Sequence, residues 1–240
     1  MKMESKKIIT RENISLLLKI LTIVNAFVGI ILSFVSYEQD GYSNWYIRGT
    51  YFTLQSNLWI GGLMLYIVIA NLLKKEFNVE KVYFVKFIFT VSITLTFIVF
   101  WTLLAPFAYM QNYNPWSGAS ATTHMLAPTF AILDFFVDKN QTQITKKGVY
   151  GSLVPPLIYF IITSVMCLLR VDFGRGDPYP YFFMDYYSSA GLFGYVKEPF
   201  VLGTAYWILL ILVIVLSVAW ALKLTHTAIV KITEKRKTKS

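Results

Sequence analysis

Apolar residues in this chain gather into long unbroken blocks, not the one-sided three-to-four-residue spacing of a helix lying on a soluble core. Six blocks stand out, at about 14–36, 51–73, 83–106, 117–137, 150–169 and 200–222. A hydrocarbon core about 30 Å thick takes ~20 helical residues to cross. The blocks are continuously apolar rather than alternating with a period of two, which selects helices over a barrel. The pattern therefore predicts an all-α polytopic membrane protein, a single domain over 1–240 with six transmembrane helices. The fourth block is the weakest, since Thr122, Thr123 and His124 dilute it.

Composition fits this pattern, with 56% hydrophobic and 15% charged residues and a mean hydropathy of +0.55. The net charge of +9 is unevenly spread. Lys2, Lys6, Lys7 and Arg11 precede the first block. Lys74, Lys75, Lys81 and Lys86 flank the second loop, and Lys139, Lys146 and Lys147 fill the fourth. Lys231, Lys235, Arg236, Lys237 and Lys239 end the chain, while the alternate loops hold only Arg48, then Arg170, Arg175 and Lys197. That alternation is the positive-inside pattern and predicts both termini in the cytoplasm, with the plasma membrane as the expected location. The basic tail reads as a topology signal and lipid-headgroup contact, so no nucleic-acid partner is expected. The first block is longer than the core of a cleavable signal and is expected to stay as an anchor. The sequon Asn140-Gln-Thr142 is expected on the cytoplasmic side, where it would not be used.

Cys167 is the only cysteine, which excludes an intrachain disulfide. The two histidines, His124 and His226, are expected on opposite sides of the membrane, so no metal-ligand set assembles and no cofactor is expected. The longest segment between blocks, 170–199, carries Tyr179, Tyr181, Phe182, Phe183, Tyr186 and Tyr187. Such aromatics form either an interfacial belt or a flap re-entering over a pocket.

The chemistry concentrates in two places. His124 lies a few residues into the fourth block, and Thr53, Gln55, Ser56 and Asn57 lie at the start of the second. Polar groups in hydrocarbon are costly unless partnered, and ionisable ones there are functional candidates by default. Both blocks run inward, so Thr53 and His124 should lie within about one helical turn of the same depth. Thr53, Ser56 and Asn57 share a helix face, and Asn25 is placed to join them. A threonine hydroxyl becomes a nucleophile when a neighbouring imidazole takes its proton, which makes ester cleavage the chemistry that suits the pair. Asn57, Gln55 and Ser56, or freed backbone N–H groups, are candidates for holding an oxyanion or orienting substrate. A structural role is the competing reading, since such threonines often bond the carbonyl one turn back. Asp134 is too deep to orient His124. Ser120, four residues before His124, is an alternative nucleophile. Its setting Gly118-Ala-Ser-Ala121 resembles the Gly-x-Ser-Gly of rhomboid proteases but lacks the second glycine, and the last block has no histidine.

The run Phe52-Thr-Leu-Gln-Ser-Asn57, with a lone His124 in a later block and Asp134 after it, resembles the androgen-induced and androgen-dependent integral membrane protein family. Pro156-Leu-Ile-Tyr159 leading to Arg170, then Pro178-Tyr-Pro-Tyr-Phe-Phe-Met-Asp185, is similar to bacterial members. The resemblance spans all six blocks. It implies an intramembrane threonine hydrolase of fatty acid esters of hydroxy fatty acids, with Thr53 as nucleophile and His124 as base. It also implies a lipid or fatty acyl ester as partner, and it demotes Ser120. The rival expectation is a non-enzymatic lipid-binding or transport protein whose polar residues line a passage.

Overall fold

The computed structural model describes residues 10–108, 114–139, 142–198 and 200–237. Helix α1 spans Arg11–Val35 and α2 Phe52–Leu72. Helix α3 runs over Val79–Leu104 and α4 over 118–137. Helix α5 covers Lys146–Leu168 and α6 Thr204–Lys237. All of these except α4 are long and apolar enough to cross a membrane, the mark of a multi-pass membrane protein.

Local chemistry sets the helix ends. Thr10, Asn78, Ser117 and Thr145 each accept a backbone N–H of the first turn of α1, α3, α4 and α5. Helices α2 and α5 both close on a left-handed residue, Lys74 at φ +52° and Arg170 at φ +54°. The following amides, of Lys75 and Val171, reach back to the Ala70 and Met166 carbonyls. Helix α6 continues well past the end expected from hydropathy at about residue 222, because His226 is buried against Tyr83 and Phe135 and holds the polar extension to the bundle.

Successive helices run up and down. The start of α1 meets the end of α4, where Arg11 donates to the Val137 and Phe136 carbonyls at 2.5 and 2.9 Å. Helices α1, α2 and α3 all pack on α4, while α6 lies against α3. Exposed apolar side chains line the outside, such as Leu17 and Ile31 on α1, Ile161 and Val165 on α5, and Leu209 on α6. The inside is unusually polar. Thr90, Ser92, Thr94 and Thr96 on α3 are buried, and three of them return their hydroxyls to the carbonyl one turn back within 3.1 Å.

The lower end, near the start of α1, holds a buried ion cluster. Lys86 does not flank a loop as its position among the basic residues implied; it is 1% exposed and reaches Asp134 and Asp138 at 2.6 and 2.5 Å. Lys19 contacts the same carboxylates at 2.8 and 2.9 Å, and Ser15 donates to Asp134 at 2.6 Å. Lys19 lies inside the first apolar block, where it gives no boundary signal. Two cations and two carboxylates thus neutralise one another inside the bundle, as buried charge requires. Asn140 of the sequon lies outside the described residues, as do Lys2, Lys6, Lys7 and Lys239.

Segment 170–203 closes the upper end. It contains a short turn at Phe182–Met184 and a two-residue hairpin, β1 Tyr195–Val196 with β2 Val201–Leu202. Phe173, Phe183 and Met184 are buried while Phe193 and Tyr195 remain exposed, so one segment supplies both a flap packed over the bundle and an outward aromatic rim.

Candidate active site

Thr53 sits in the first turn of α2, and its hydroxyl lies 3.3 Å from Nε2 of His124. Both side chains are 8% exposed. Local backbone geometry aims the imidazole. Helix α4 widens into a π turn at Thr122–Leu126, and α3 does the same at Phe100–Leu104. Such turns gather at functional sites because they re-aim side chains and loosen the regular backbone ladder. The two face each other. The Phe100 ring stacks on His124 with centroids 3.7 Å apart and 15° between planes, and Trp101 donates its indole N–H to the His124 carbonyl at 3.1 Å.

The other ring nitrogen, Nδ1, lies 3.1 Å from the Ser120 carbonyl, 3.1 Å from the Ser120 hydroxyl and 3.2 Å from the Thr123 hydroxyl. A carbonyl only accepts, so the contact is satisfied when Nδ1 carries the proton. In that tautomer Nε2 presents its lone pair to the Thr53 hydroxyl. A backbone carbonyl thus orients the histidine, the role for which the sequence offered no side chain. Ser120 is fully buried on the Nδ1 side, facing the donor end of the ring.

The neighbouring polar residues hold the helices in register. Asn57 donates to the carbonyls of Thr53 at 2.8 Å and Thr123 at 3.0 Å, tying α2 to α4 beside the pair. Its own carbonyl oxygen is buried without a partner. Ser56 donates to the Thr53 carbonyl at 3.0 Å and meets Thr96 of α3 at 2.8 Å. Gln55 turns away and donates to the Gly49 and Thr50 carbonyls at 3.3 and 3.4 Å. Asn25 bonds Leu21 of its own helix and does not reach the site. None of these amide N–H groups points at the space beside Thr53.

Two cavities meet at Thr53. The larger, about 190 Å³, is bordered by Arg48, Thr53, His124, Arg175, Asp177 and Tyr181. Arg48 is buried, pairs with Asp40 at 2.6 Å and lies over the Tyr42 ring. The smaller, about 40 Å³, is apolar and runs between Leu95, Val99, Pro156, Phe160 and Ile211. The flap supplies Tyr181, whose phenol is held against the amide and hydroxyl of Thr53. Burial pushes that phenol up to about 12, so it stays protonated at neutral pH.

No protein-family model, curated protein or solved structure matches this chain. The site therefore stands on its own geometry. Among the described residues no group of three or more His, Cys, Asp or Glu could hold a metal ion.

Phe100, Trp101, Arg48, Thr123 and Tyr181 were missed by sequence reasoning. Phe100 and Trp101 lie in an apolar block with no local sign of a π turn. Tyr181 had a signal, a dense aromatic run in the longest connecting segment, which did not indicate which ring turns inward.

Proposed function

We propose that this protein is an intramembrane hydrolase of lipid-like carboxylic esters, such as fatty acid esters of hydroxy fatty acids. Thr53 is the nucleophile and His124 the general base. The observation that carries this reading is the Nε2-to-hydroxyl contact at 3.3 Å, with Nδ1 anchored on a backbone carbonyl. In the first step Thr53 attacks the ester carbonyl as His124 takes its proton, and the protonated histidine then delivers that proton to the departing alcohol. Water, activated by the same imidazole, releases the acyl group from threonine in the second step. The apolar cavity can take the first carbons of an acyl chain beside Thr53, and the polar one suits the leaving side of the ester.

The 118–137 helix is a sixth crossing whose threonines, histidine and aspartate are spent on the site and the ion cluster. Both termini lie in the cytoplasm, and the flap faces the opposite side of the plasma membrane. A transport role needs a passage, whereas at the lower end of the bundle Lys19, Lys86, Asp134 and Asp138 are spent on one another. The test is hydrolysis of p-nitrophenyl acyl esters by detergent-purified protein. His124→Ala is expected to lose about 10²–10⁴-fold in rate, the usual worth of a positioned base. Turnover by Thr53→Ala at the wild-type level would sink the proposal.

A further inference from the structure

Resting on that acyl-transfer reading, we propose that the ester's carbonyl oxygen is held by an oxyanion hole made from the Thr53 amide and the Tyr181 hydroxyl, with Tyr159 on its far side. The hole begins with an uncapped helix. Tyr51, which precedes α2, is extended at φ −76° and ψ 135° and offers no side-chain cap. The first backbone bonds are made by Leu54 and Gln55, both to the Tyr51 carbonyl, at 3.1 and 3.3 Å. The Phe52 and Thr53 amides therefore lie ahead of the backbone ladder, as the first amides of any helix do. They also carry the positive end of the helix dipole.

An uncapped turn alone would be unremarkable at a water-exposed surface, but this one is buried beneath two phenols. Tyr181 sits against the Thr53 amide and hydroxyl. Tyr159 is 5% exposed, lies close to the Phe52 amide, and its hydroxyl has no hydrogen-bond partner in bonding geometry. Buried polar groups are normally partnered, so the unmatched Tyr159 hydroxyl, beside two amides that make no backbone bond, calls for an acceptor. Both phenols border the apolar cavity at Thr53. Their rings are fixed: Tyr181 stacks on Phe183 at 5.0 Å and meets Tyr51 edge-on at 5.5 Å, and Tyr159 packs edge-on against Phe52 at 5.2 Å.

The chemistry balances without a co-reactant other than the ester and water. As the Thr53 oxygen bonds the carbonyl carbon, the π pair moves onto the carbonyl oxygen and the threonine proton passes to His124 Nε2. The oxyanion accepts from the Thr53 amide and the Tyr181 hydroxyl, with the Tyr159 hydroxyl donating from the far side. When the carbonyl re-forms, the alkoxide leaves and takes the proton from His124. Donors fixed before reaction stabilise this charge without reorganising. The flap is thereby part of the catalytic apparatus, since it delivers Tyr181.

The test uses the full-length protein in detergent, a p-nitrophenyl acyl ester, and an alkyl trifluoromethyl ketone, which adds to the nucleophile as a stable oxyanion. Tyr181→Phe removes one oxygen. It is expected to lower kcat by about 10²-fold with little change in KM and to weaken the ketone by a similar factor. A purely structural tyrosine would not move kcat and ketone affinity together. Wild-type kcat and ketone affinity in Tyr181→Phe, with Thr53→Ala inactive, would overturn the hole and leave the nucleophile standing. Wild-type turnover in Thr53→Ala would overturn both. Should Tyr181→Phe fail to fold, Tyr159→Phe serves instead: a parallel loss of kcat and ketone affinity supports the hole, and no change in either overturns it.

Discussion

Thr53 and His124 are 71 positions apart in sequence, yet the threonine hydroxyl lies 3.3 Å from the Nε2 edge of the ring while Ser120 meets the Nδ1 edge. The two edges are chemically different: a proton on Nδ1 satisfies the Ser120 carbonyl and leaves Nε2 as the basic edge. Thr53→Ser keeps a hydroxyl on the basic edge and is expected to retain ester turnover. Ser120→Ala leaves the carbonyl in place and is expected to stay within roughly tenfold of wild type, far from the loss seen on removing a nucleophile. Steady-state kinetics of both variants checks this, and an inactive Ser120→Ala with an active Thr53→Ala would reverse the assignment.

Helix α1 approaches the site through Gly29. A Cβ there would lie 2.5 Å from Cγ2 of Thr123 and 2.6 Å from Oγ1 of Thr122, inside the π turn that aims His124. Gly29→Val should push α1 off α4 and cost about 1–3 kcal/mol by overpacking. Turnover should fall as well, because the displaced turn carries the base. Thermal unfolding in detergent, run beside the kinetics, reads both effects; an unperturbed variant would show that the two helices do not meet here.

Far below the site, Lys86 lies between Asp134 and Asp138 with 1% of its side chain exposed. Lys86→Met leaves two buried carboxylates sharing Lys19, and removing one partner of a buried ion group typically destabilises by about 3–5 kcal/mol. The double variant Lys86→Met with Asp138→Asn removes charge in balance and is expected to recover much of that loss. Unfolding midpoints of the single and double variants measure the difference.

The flap should respond to alkali. Tyr181 is neutral in the folded protein up to about 12, against an ordinary value of 10.0, chiefly because burial opposes the phenolate. Its contribution to stability is complete below pH 10 and is lost as pH climbs towards 12, since the unfolded flap ionises first. Phenolate absorbance and turnover are expected to change together across that interval, and Tyr181→Phe should remove its share of the absorbance change.

Much of the architecture was legible because a membrane helix announces itself in composition: the 51–73 block became Phe52–Leu72 almost unchanged. The end of α6 was not, since a polar helix held by a buried His226 gives no hydropathy signal. Depth counting put Thr53 and His124 at one level without singling out the pair, since Ser120 stood equally close in sequence to His124, and the resemblance made the choice. The carbonyl that orients His124 was not readable, because a π turn shows in no residue type. Asn57 and Gln55 were placed on the right helix but given the wrong targets. Their amides were free to reach either the site or nearby carbonyls, and sequence does not reveal which carbonyls a neighbouring helix leaves open. Lys86 misled because a basic residue near a predicted boundary reads as a flank until its two carboxylates are seen.

The central claim is that Thr53 is an activated nucleophile. Detergent-purified protein is treated with an alkyl fluorophosphonate and analysed by intact mass and peptide mapping, alongside Thr53→Ala and His124→Ala. The account predicts one adduct on the wild type, mapped to Thr53, and none on either variant. An adduct that persists in Thr53→Ala, or that maps to Ser120, would contradict it.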